Sequence, residues 1–165
     1  MSIWWSLHLR CEAASVPLAR RLLLGAMESA GVDPDVSYDL SVALTEACAN
    51  AVEHGGSADV RAGGSCGAYR VTAYLDGEKC RIEVTDAGPG FPGAAPDPLA
   101  RSLPAWQLPQ VPQLVDTDAE HGRGLGMIEA LADHVDFRNR PGRGAVVSFD
   151  KILKWRDEAV LAPAP

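Results

Sequence analysis

The stretch TEACANAVEH, residues 45 to 54, decides the fold assignment. Its three alanines and its lack of Gly and Pro predict a helix. At 3.6 residues per turn, Glu46 and Asn50 lie one turn apart on a face away from the apolar positions. Asn is a poor residue for a helix interior, because its short amide competes for backbone hydrogen bonds. A carboxylate and an amide oxygen aligned on one helix face are suitable ligands for Mg²⁺ and its waters. The alternative interpretation is that this face is simply the solvated side of an amphipathic helix.

Length and composition favour one globular domain. The chain has 165 residues, 47% of them hydrophobic, and a formal net charge of −7. We expect a single domain over residues 1–150 and a tail over 151–165. A negatively charged chain is a poor nucleic-acid binder, since phosphate contacts need a basic surface. No apolar run is long enough to cross a bilayer and the start of the chain does not resemble a signal peptide, so we expect a cytoplasmic protein without membrane contact.

The cysteines show no metal-binding pattern. None belongs to a C-x-x-C pair, and Cys48 lies on the apolar side of the predicted helix. A reduced protein is the simpler interpretation, and a zinc site or a disulfide framework is the alternative. The four cysteines are Cys11, Cys48, Cys66 and Cys80.

The order of the predicted elements gives the fold class. Alternating apolar residues with frequent Val, Tyr and Thr predict strands at 3–10, 57–62, 68–75 and 79–85. Helices are predicted from Ser15, as N-cap, to Gly31, over 33–56 and over 122–135. Residues 136–150 predict two short strands around a Pro-Gly turn, and the tail from 151 predicts the start of a helix. Helices followed by an antiparallel sheet predict an α+β two-layer sandwich.

A first glycine-containing stretch, VTDAGPGF over residues 84–91, places Asp86 at the end of a strand. An Asp there can accept a hydrogen bond from an exocyclic amine. The following Gly88 and Gly90 let the backbone approach a ring closely. The alternative is a plain turn after a strand, with Asp as the turn former.

A second stretch, HGRGLGM over residues 121–127, places three glycines at the start of a predicted helix. Exposed N–H groups and the helix dipole favour phosphate there, and Arg123 adds positive charge. The alternative is a flexible hinge. A dinucleotide-binding role is not supported, because no βαβ unit surrounds the glycines. The three glycines are Gly122, Gly124 and Gly126.

In this order, the three motifs resemble those of the GHKL, or Bergerat-fold, ATPase superfamily. LTEACANAVEH resembles its N box, VTDAGPGF its first glycine box and GRGLGMI its second. The resemblance runs from about Leu40 to Phe149 and is strongest to the bacterial anti-sigma-factor serine/threonine kinases. It implies the histidine kinase-like ATPase fold, with a mostly antiparallel sheet and an ATP lid over about 91–121.

The resemblance also implies a role for each motif residue. Glu46 matches the general base, Asn50 the Mg²⁺ ligand, and Asp86 the acid that accepts from the adenine amino group. Gly88 and Gly90 would shape the adenine pocket. The segment that would wrap the phosphates consists of Gly122, Arg123, Gly124, Leu125 and Gly126.

One position departs from the family pattern. Ala145 stands where the family commonly has a Thr that hydrogen-bonds near the adenine, and Ser148 or a water is the candidate substitute.

Two functions follow from the resemblance, both with ATP and Mg²⁺ as cofactors. The first is an anti-sigma-factor serine/threonine kinase that phosphorylates an anti-anti-sigma partner of the STAS type. The second is a nucleotide-gated anti-sigma switch with little or no phosphate transfer. A sigma factor is the second expected partner, and the kinase relatives imply a homodimer.

Overall fold

The computed structural model describes residues 1–54, 67–86, 95–96, 121–140, 144–157 and 159. Its strands are β1 (Ile3–Arg10), β2 (Ala68–Leu75), β3 (Lys79–Thr85), β4 (Ala95–Pro96), β5 (His134–Arg140) and β6 (Gly144–Ile152). Its helices are α1 (Ser15–Ala30), α2 (Pro34–His54) and α3 (His121–Leu131). The predicted strand at 57–62, the predicted lid apart from 95–96 and its last residue, and the glycines Gly88 and Gly90 lie outside the described residues.

The strands form one sheet in the order β1-β2-β3-β6-β5-β4. The pairs β1–β2, β2–β3, β3–β6 and β5–β6 are antiparallel, and the short β4 pairs in parallel with β5. The described helices pack against the buried face of this sheet and against one another. This arrangement confirms the predicted α+β two-layer sandwich with a mostly antiparallel sheet.

Alternation along β2 explains how its inner face is buried against the helices. In β2, Tyr69, Val71, Ala73 and Leu75 are buried, and the residues between them are exposed or half-buried. Successive side chains of a strand point to opposite faces, so the buried set faces the helices. The core between the two layers is built from large apolar side chains that are almost fully buried: Leu23, Met27, Leu40, Leu44, Tyr69, Ile82, Ile128 and Phe149.

The ends of α1 test two predictions. Gly31 ends the helix as predicted, in the left-handed conformation with φ of 85°. The prediction of Ser15 as N-cap is wrong, because Ala14 holds that position and makes no side-chain cap. The Ser15 hydroxyl instead donates to the Glu12 carbonyl at 2.7 Å and lies 2.7 Å from the Tyr69 hydroxyl. Ser15 therefore joins α1 to the sheet through a buried polar contact.

Two predicted boundaries near the C-terminus are also wrong. The third helix ends at Leu131 rather than at 135, because His134 already begins β5 and pairs with Asp150 of β6. Residue 151 does not start a helix, because β6 continues to Ile152. Beyond it, Trp155 forms a bridge with Val32, and its indole N–H donates to the Gly77 carbonyl at 3.0 Å. These long-range pairings override the local helical pattern.

Strand register defines two ends of the sandwich. Arg10 pairs with Ala68, and Thr85 pairs close to the same end of β2, so the end of β1, the start of β2 and the end of β3 lie together. The Cys11 thiol, directly after β1, donates to the Ala51 carbonyl at 3.6 Å. The C-terminal part of α2 therefore lies over this end, which we call the site end. The opposite end, with the β2–β3 turn and the end of β6, is the far end.

At the far end, one carboxylate on the outer face of the sheet is buried by its partners. Asp150 is 6% exposed, accepts from His134 Nδ1 at 2.8 Å and accepts from Arg81 Nη2 at 3.2 Å. Burial raises the pKa of Asp150, but the hydrogen bonds from His134 and Arg81 lower it more, so the pKa lies below its ordinary value. Three strands are thereby linked across the outer face.

The described cysteines are free thiols. Cys48 and Cys80 are buried and Cys11 is half-buried, whereas Cys66 lies outside the described residues. The Cys48 thiol lies in the core, where burial raises its pKa and the Tyr69 hydroxyl opposes the shift. Among the described helices, none is both long and apolar enough to cross a membrane.

Candidate functional site

The central contact of the candidate site joins the start of α3 to the polar face of α2. A Cβ atom built on Gly124 would lie 3.1 Å from Glu46 Oε2, and 3.8 Å and 3.9 Å from the side-chain O and N atoms of Asn50. Ordinary contacts of a Cβ atom are 3.4–4 Å. A side chain at position 124 would therefore crowd the Glu46 carboxylate, which would have to shift by a few tenths of an ångström, whereas glycine leaves room for it.

The N-terminus of α3 faces the two polar side chains of α2. The first four N–H groups of a helix have no partner within the helix, and they carry the positive end of its dipole. The first turns of α3 contain three glycines, so no side chain at those positions covers the backbone. Such a helix start binds phosphate readily. Glu46 and Asn50 are both half-buried, and the polar ends of their side chains lie beside this helix start.

The acid after β3 is held by the neighbouring strand. The Asp86 N–H donates to the Ala145 carbonyl at 3.0 Å, and the Ala145 N–H donates to Asp86 Oδ1 at 3.2 Å. Asp86 is half-buried and Ala145 is 5% exposed. These two hydrogen bonds fix the orientation of the carboxylate at the site end, where Asn50 also lies.

The Ala145 backbone has a role that the sequence motifs do not indicate. The family pattern concerns only the side chain at 145, where the hydroxyl is missing, whereas the structure uses the backbone N–H and carbonyl. The signal for the backbone contact is the pairing of β3 with β6, which places Thr85 opposite Val146 and brings Asp86 beside Ala145. That register cannot be obtained from the motif alone.

Ser148 does not replace the missing threonine. It pairs with Glu83, three positions before Asp86, which is about 10 Å along the strand. Residues 145 and 148 are also an odd number of positions apart, so their side chains point to opposite faces of the sheet. Because this register excludes Ser148, a water is the remaining candidate to replace the threonine hydroxyl.

The remaining predicted residues have diverse surroundings. Leu125 is half-buried and packs against the core, while Gly126 is exposed and a Cβ atom there would meet nothing within 4 Å. Gly122 and Arg123 lie in the first turn of α3. Glu53 lies farther along α2 than Asn50, on an exposed turn, and pairs with His54 at 3.7 Å. Glu46 is therefore the acid of α2 that faces α3.

The donor set of the site fits Mg²⁺. Of the side chains that the structure describes, no three His, Cys, Asp or Glu residues form a group able to hold a metal ion alone. Mg²⁺ usually keeps several waters and binds through one or two protein oxygens together with substrate phosphates. Asn50, beside the start of α3 and one helical turn from Glu46, offers such an oxygen.

A groove of about 500 Å³ lies at the far end, away from these residues. It is lined by Lys79, His134 and Trp155 among others, and none of the predicted site residues that the structure describes contributes to it. We place the candidate site at the site end because the converging oxygens and the helix start lie there. Several segments that the sequence predicts to wall the nucleotide pocket lie outside the described residues.

Comparison with known proteins shows which family the sequence resembles. The sequence matches the family model of the histidine kinase-like ATPase domain over residues 9–151. The anti-sigma F factor of Pasteuria penetrans is 30% identical over 132 residues, which cover 76% of this chain and 75% of that protein. The serine-protein kinase RsbW of Bacillus licheniformis is 31% identical over 139 residues, which cover 84% of this chain and 78% of that protein.

A solved structure supports the fold alone. The crystal structure of the RsbU and RsbW domains of a Mycobacterium tuberculosis protein superposes with a TM-score of 0.59 at 23% identity. The match covers 91% of this chain and 33% of that one.

Proposed function

Since the chain belongs to the family of histidine kinase-like ATPase domains, we propose that it is an ATP-binding anti-sigma factor with serine/threonine kinase activity. The observation that carries the proposal is the contact of Gly124 with Glu46 and Asn50. A phosphate-binding helix start, a metal-binding amide and a carboxylate base are the three groups that phosphoryl transfer requires, and they meet at one point. The kinase and anti-sigma names of its relatives support the same conclusion.

At the adenine end, Asp86 is the proposed acceptor for the adenine amino group. Its Oδ1 is held by the Ala145 N–H, so the carboxylate is oriented before nucleotide binds. Gly88 and Gly90 follow directly in sequence and would allow the ring to approach the backbone. The absence of a hydroxyl at 145 removes one expected contact, which weakens but does not abolish adenine recognition.

At the phosphate end, each residue has a separate task. Asn50 would hold Mg²⁺, which supplies charge neutralisation for the triphosphate when it is bound. The N–H groups of Gly122, Gly124 and Gly126 would hold the phosphate oxygens, with Arg123 adding positive charge. Glu46 would accept the proton of a serine or threonine hydroxyl of the partner. That oxygen forms a bond to the γ-phosphorus as the bond to the β-phosphate oxygen breaks, and ADP leaves.

The proposed partners are proteins. The phosphate acceptor is an anti-anti-sigma protein of the STAS type, and the bound target is a sigma factor. A homodimer is part of the same proposal.

The alanine at position 145 supports a second candidate function. Ala145 leaves the adenine with one hydroxyl contact fewer than the family pattern, which favours weaker nucleotide binding. In this alternative the protein is a nucleotide-gated anti-sigma switch that binds ATP and transfers little phosphate. The presence of Glu46 beside the start of α3 favours the kinase.

The two functions are separated by single-turnover transfer from labelled ATP to the partner that co-purifies with the protein. Glu46→Gln keeps the shape of the side chain and removes its basicity. We expect near-normal ATP affinity and transfer slowed by about a hundredfold, the usual effect of losing a general base. Glu53→Gln, an equal change on an exposed turn of α2, is the matched control and should transfer at the wild-type rate.

Three outcomes would contradict parts of this proposal. Absence of transfer by wild type to a partner that it binds only with nucleotide would establish the switch. Equal rates for wild type and Glu46→Gln would remove Glu46 as the base. Slow transfer by Glu53→Gln alone would assign the base to Glu53.

A further inference from the structure

Lys151 forms a contact at the far end that joins three elements. It lies on β6, and its Nζ donates to the Leu131 carbonyl of α3 at 2.8 Å. The same Nζ lies 3.4 Å from Asp39 Oδ2 of α2. The side chain of Lys151 is 18% exposed and that of Asp39 is 34% exposed, so this ion pair is partly shielded from water.

The end of α3 explains why a cation binds there. The last four carbonyl groups of a helix have no partner within it, and they carry the negative end of the helix dipole. Leu131 is the last residue of α3. The half-buried Lys151 amine therefore satisfies one of these carbonyls and stabilises the helix end.

The contacts at its two ends orient α3 along α2. Near its start, Gly124 lies beside Glu46 and Asn50 in the second half of α2, close enough that an added Cβ atom would be within 4 Å of both side chains. At its last residue, α3 is linked through Lys151 to Asp39, in the second turn of α2. The two helices are thus antiparallel, and an eleven-residue helix of about 16 Å is fixed at both ends on the same neighbour.

We infer that Lys151 is a positioning residue for the phosphate-binding end of the site. By fixing the C-terminal end of α3 against α2, it holds the start of α3 over Glu46 and Asn50. Lys151 lies six positions along β6 from Ala145, about 20 Å from the adenine-binding acid, so it acts only through the helix. The inference rests on the proposed nucleotide-binding role of α3.

Apolar packing would keep α3 in place without Lys151 but would not fix its position along α2. Ile128 is fully buried, and Leu125 and Leu131 pack against the same core. Such contacts are non-directional, whereas a hydrogen bond to a specific carbonyl sets a position. Removal of the amine should therefore shift the helix start and leave the fold intact.

The test compares adenosine with Mg-ATP, because only Mg-ATP uses the start of α3. Lys151→Met keeps the apolar stem and removes the amine, and Lys154→Met, at an exposed lysine three residues later, is the matched control. Calorimetry should show Mg-ATP affinity of Lys151→Met reduced on the order of tenfold, with adenosine affinity within about twofold of wild type. Lys151→Arg should recover most of the loss.

A second readout needs no ligand. In nucleotide-free Lys151→Met, the amides at the start of α3 should exchange faster than in Lys154→Met. Asp39→Asn, which leaves the bond to the Leu131 carbonyl in place, should show the same pattern more weakly and replaces Lys151→Met if that variant does not fold.

The outcomes separate this inference from the proposed function. If wild type binds adenosine and Mg-ATP and Lys151→Met keeps the same ratio of affinities, the Lys151 inference is wrong and the proposed function stands. An equal loss of both affinities would show general loosening and would also overturn it. If triphosphate adds nothing to adenosine binding in wild type, the phosphate role of α3 fails and the Lys151 inference fails with it.

Discussion

Gly124→Ala tests the central contact of the site. The added Cβ would lie 3.1 Å from Glu46 Oε2, whereas ordinary contacts are 3.4–4 Å. Either α3 or the Glu46 side chain must therefore move by several tenths of an ångström. Alanine is about 1 kcal/mol better than glycine in a helix interior. Strain of about 0.5–1.5 kcal/mol from an off-rotamer glutamate would cancel that gain, so the net change in the free energy of unfolding should be close to zero.

Gly25→Ala is the matched control for this substitution. Gly25 lies in the middle of α1, where a Cβ atom would meet nothing within 4 Å. That variant should gain about 0.5–1 kcal/mol and a Tm increase of roughly 2–4 °C per kcal/mol, with unchanged nucleotide binding. Differential scanning calorimetry measures the stabilities.

Binding of Mg-ATP supplies the second half of the test. Because Gly124→Ala displaces Glu46 or the helix start, we expect Mg-ATP affinity to fall by about tenfold, corresponding to about 1.4 kcal/mol. Isothermal titration calorimetry measures the change. If Gly124→Ala gains the same stability as Gly25→Ala and binds Mg-ATP like wild type, α3 does not press on Glu46 and the reasoning is refuted.

The remaining predictions concern the adenine, the metal and acid stability. Asp86→Asn should weaken nucleotide binding by about 1–3 kcal/mol, because a carboxylate acceptor for the amine is lost; unchanged affinity by calorimetry would contradict its assignment. Asn50→Ala should abolish the Mg²⁺ dependence of ATP affinity without lowering Tm, and a collapse in Tm would make Asn50 structural. The lowered pKa of Asp150 means that its stabilisation is present above its unfolded pKa, near 3.8, and is lost as pH falls through the lower folded pKa. His134→Ala should raise the pKa of Asp150 and so shift acid unfolding, followed by circular dichroism, to higher pH. His8→Ala, at an exposed histidine, is the control and should leave the midpoint unchanged. Equal midpoints for the two variants would show that the His134–Asp150 pair does not contribute to acid stability.

The part of the site that could be predicted from the sequence is the part set by local periodicity. Glu46 and Asn50 share a helix face because helical spacing places them there, and this requires no knowledge of the rest of the fold. Gly31 ends α1 as predicted, because a glycine after an apolar helical stretch is a local signal for a left-handed residue at the helix end.

The features that could not be predicted depend on contacts between distant segments. The Ala145 N–H reaches Asp86 only because β3 pairs with β6 in one register. Ser15 does not cap α1, and its hydroxyl instead contacts the hydroxyl of Tyr69, 54 positions away in the sequence. Beyond Ile152, Trp155 forms a β-bridge with Val32, and the chain does not adopt the predicted helix. For Ser15 and for the tail, long-range contacts outweigh a local preference of about 1 kcal/mol.

The burial of two cysteines has a consequence for how the stability of this fold can be followed. Burial raises the pKa of the Cys48 thiol to about 12, with the Tyr69 hydroxyl opposing the shift, and burial raises that of Cys80 to about 12 as well. Since only the thiolate reacts, both are silent toward alkylating reagents in the native state. Cys48 lies on the buried face of α2 and Cys80 on β3, both in the core between the two layers, so each becomes reactive only when the layers separate. The rate at which these two thiols are modified therefore reports how often the core opens. Nucleotide binding to the native state should slow this rate, which would measure binding without any label on the ligand.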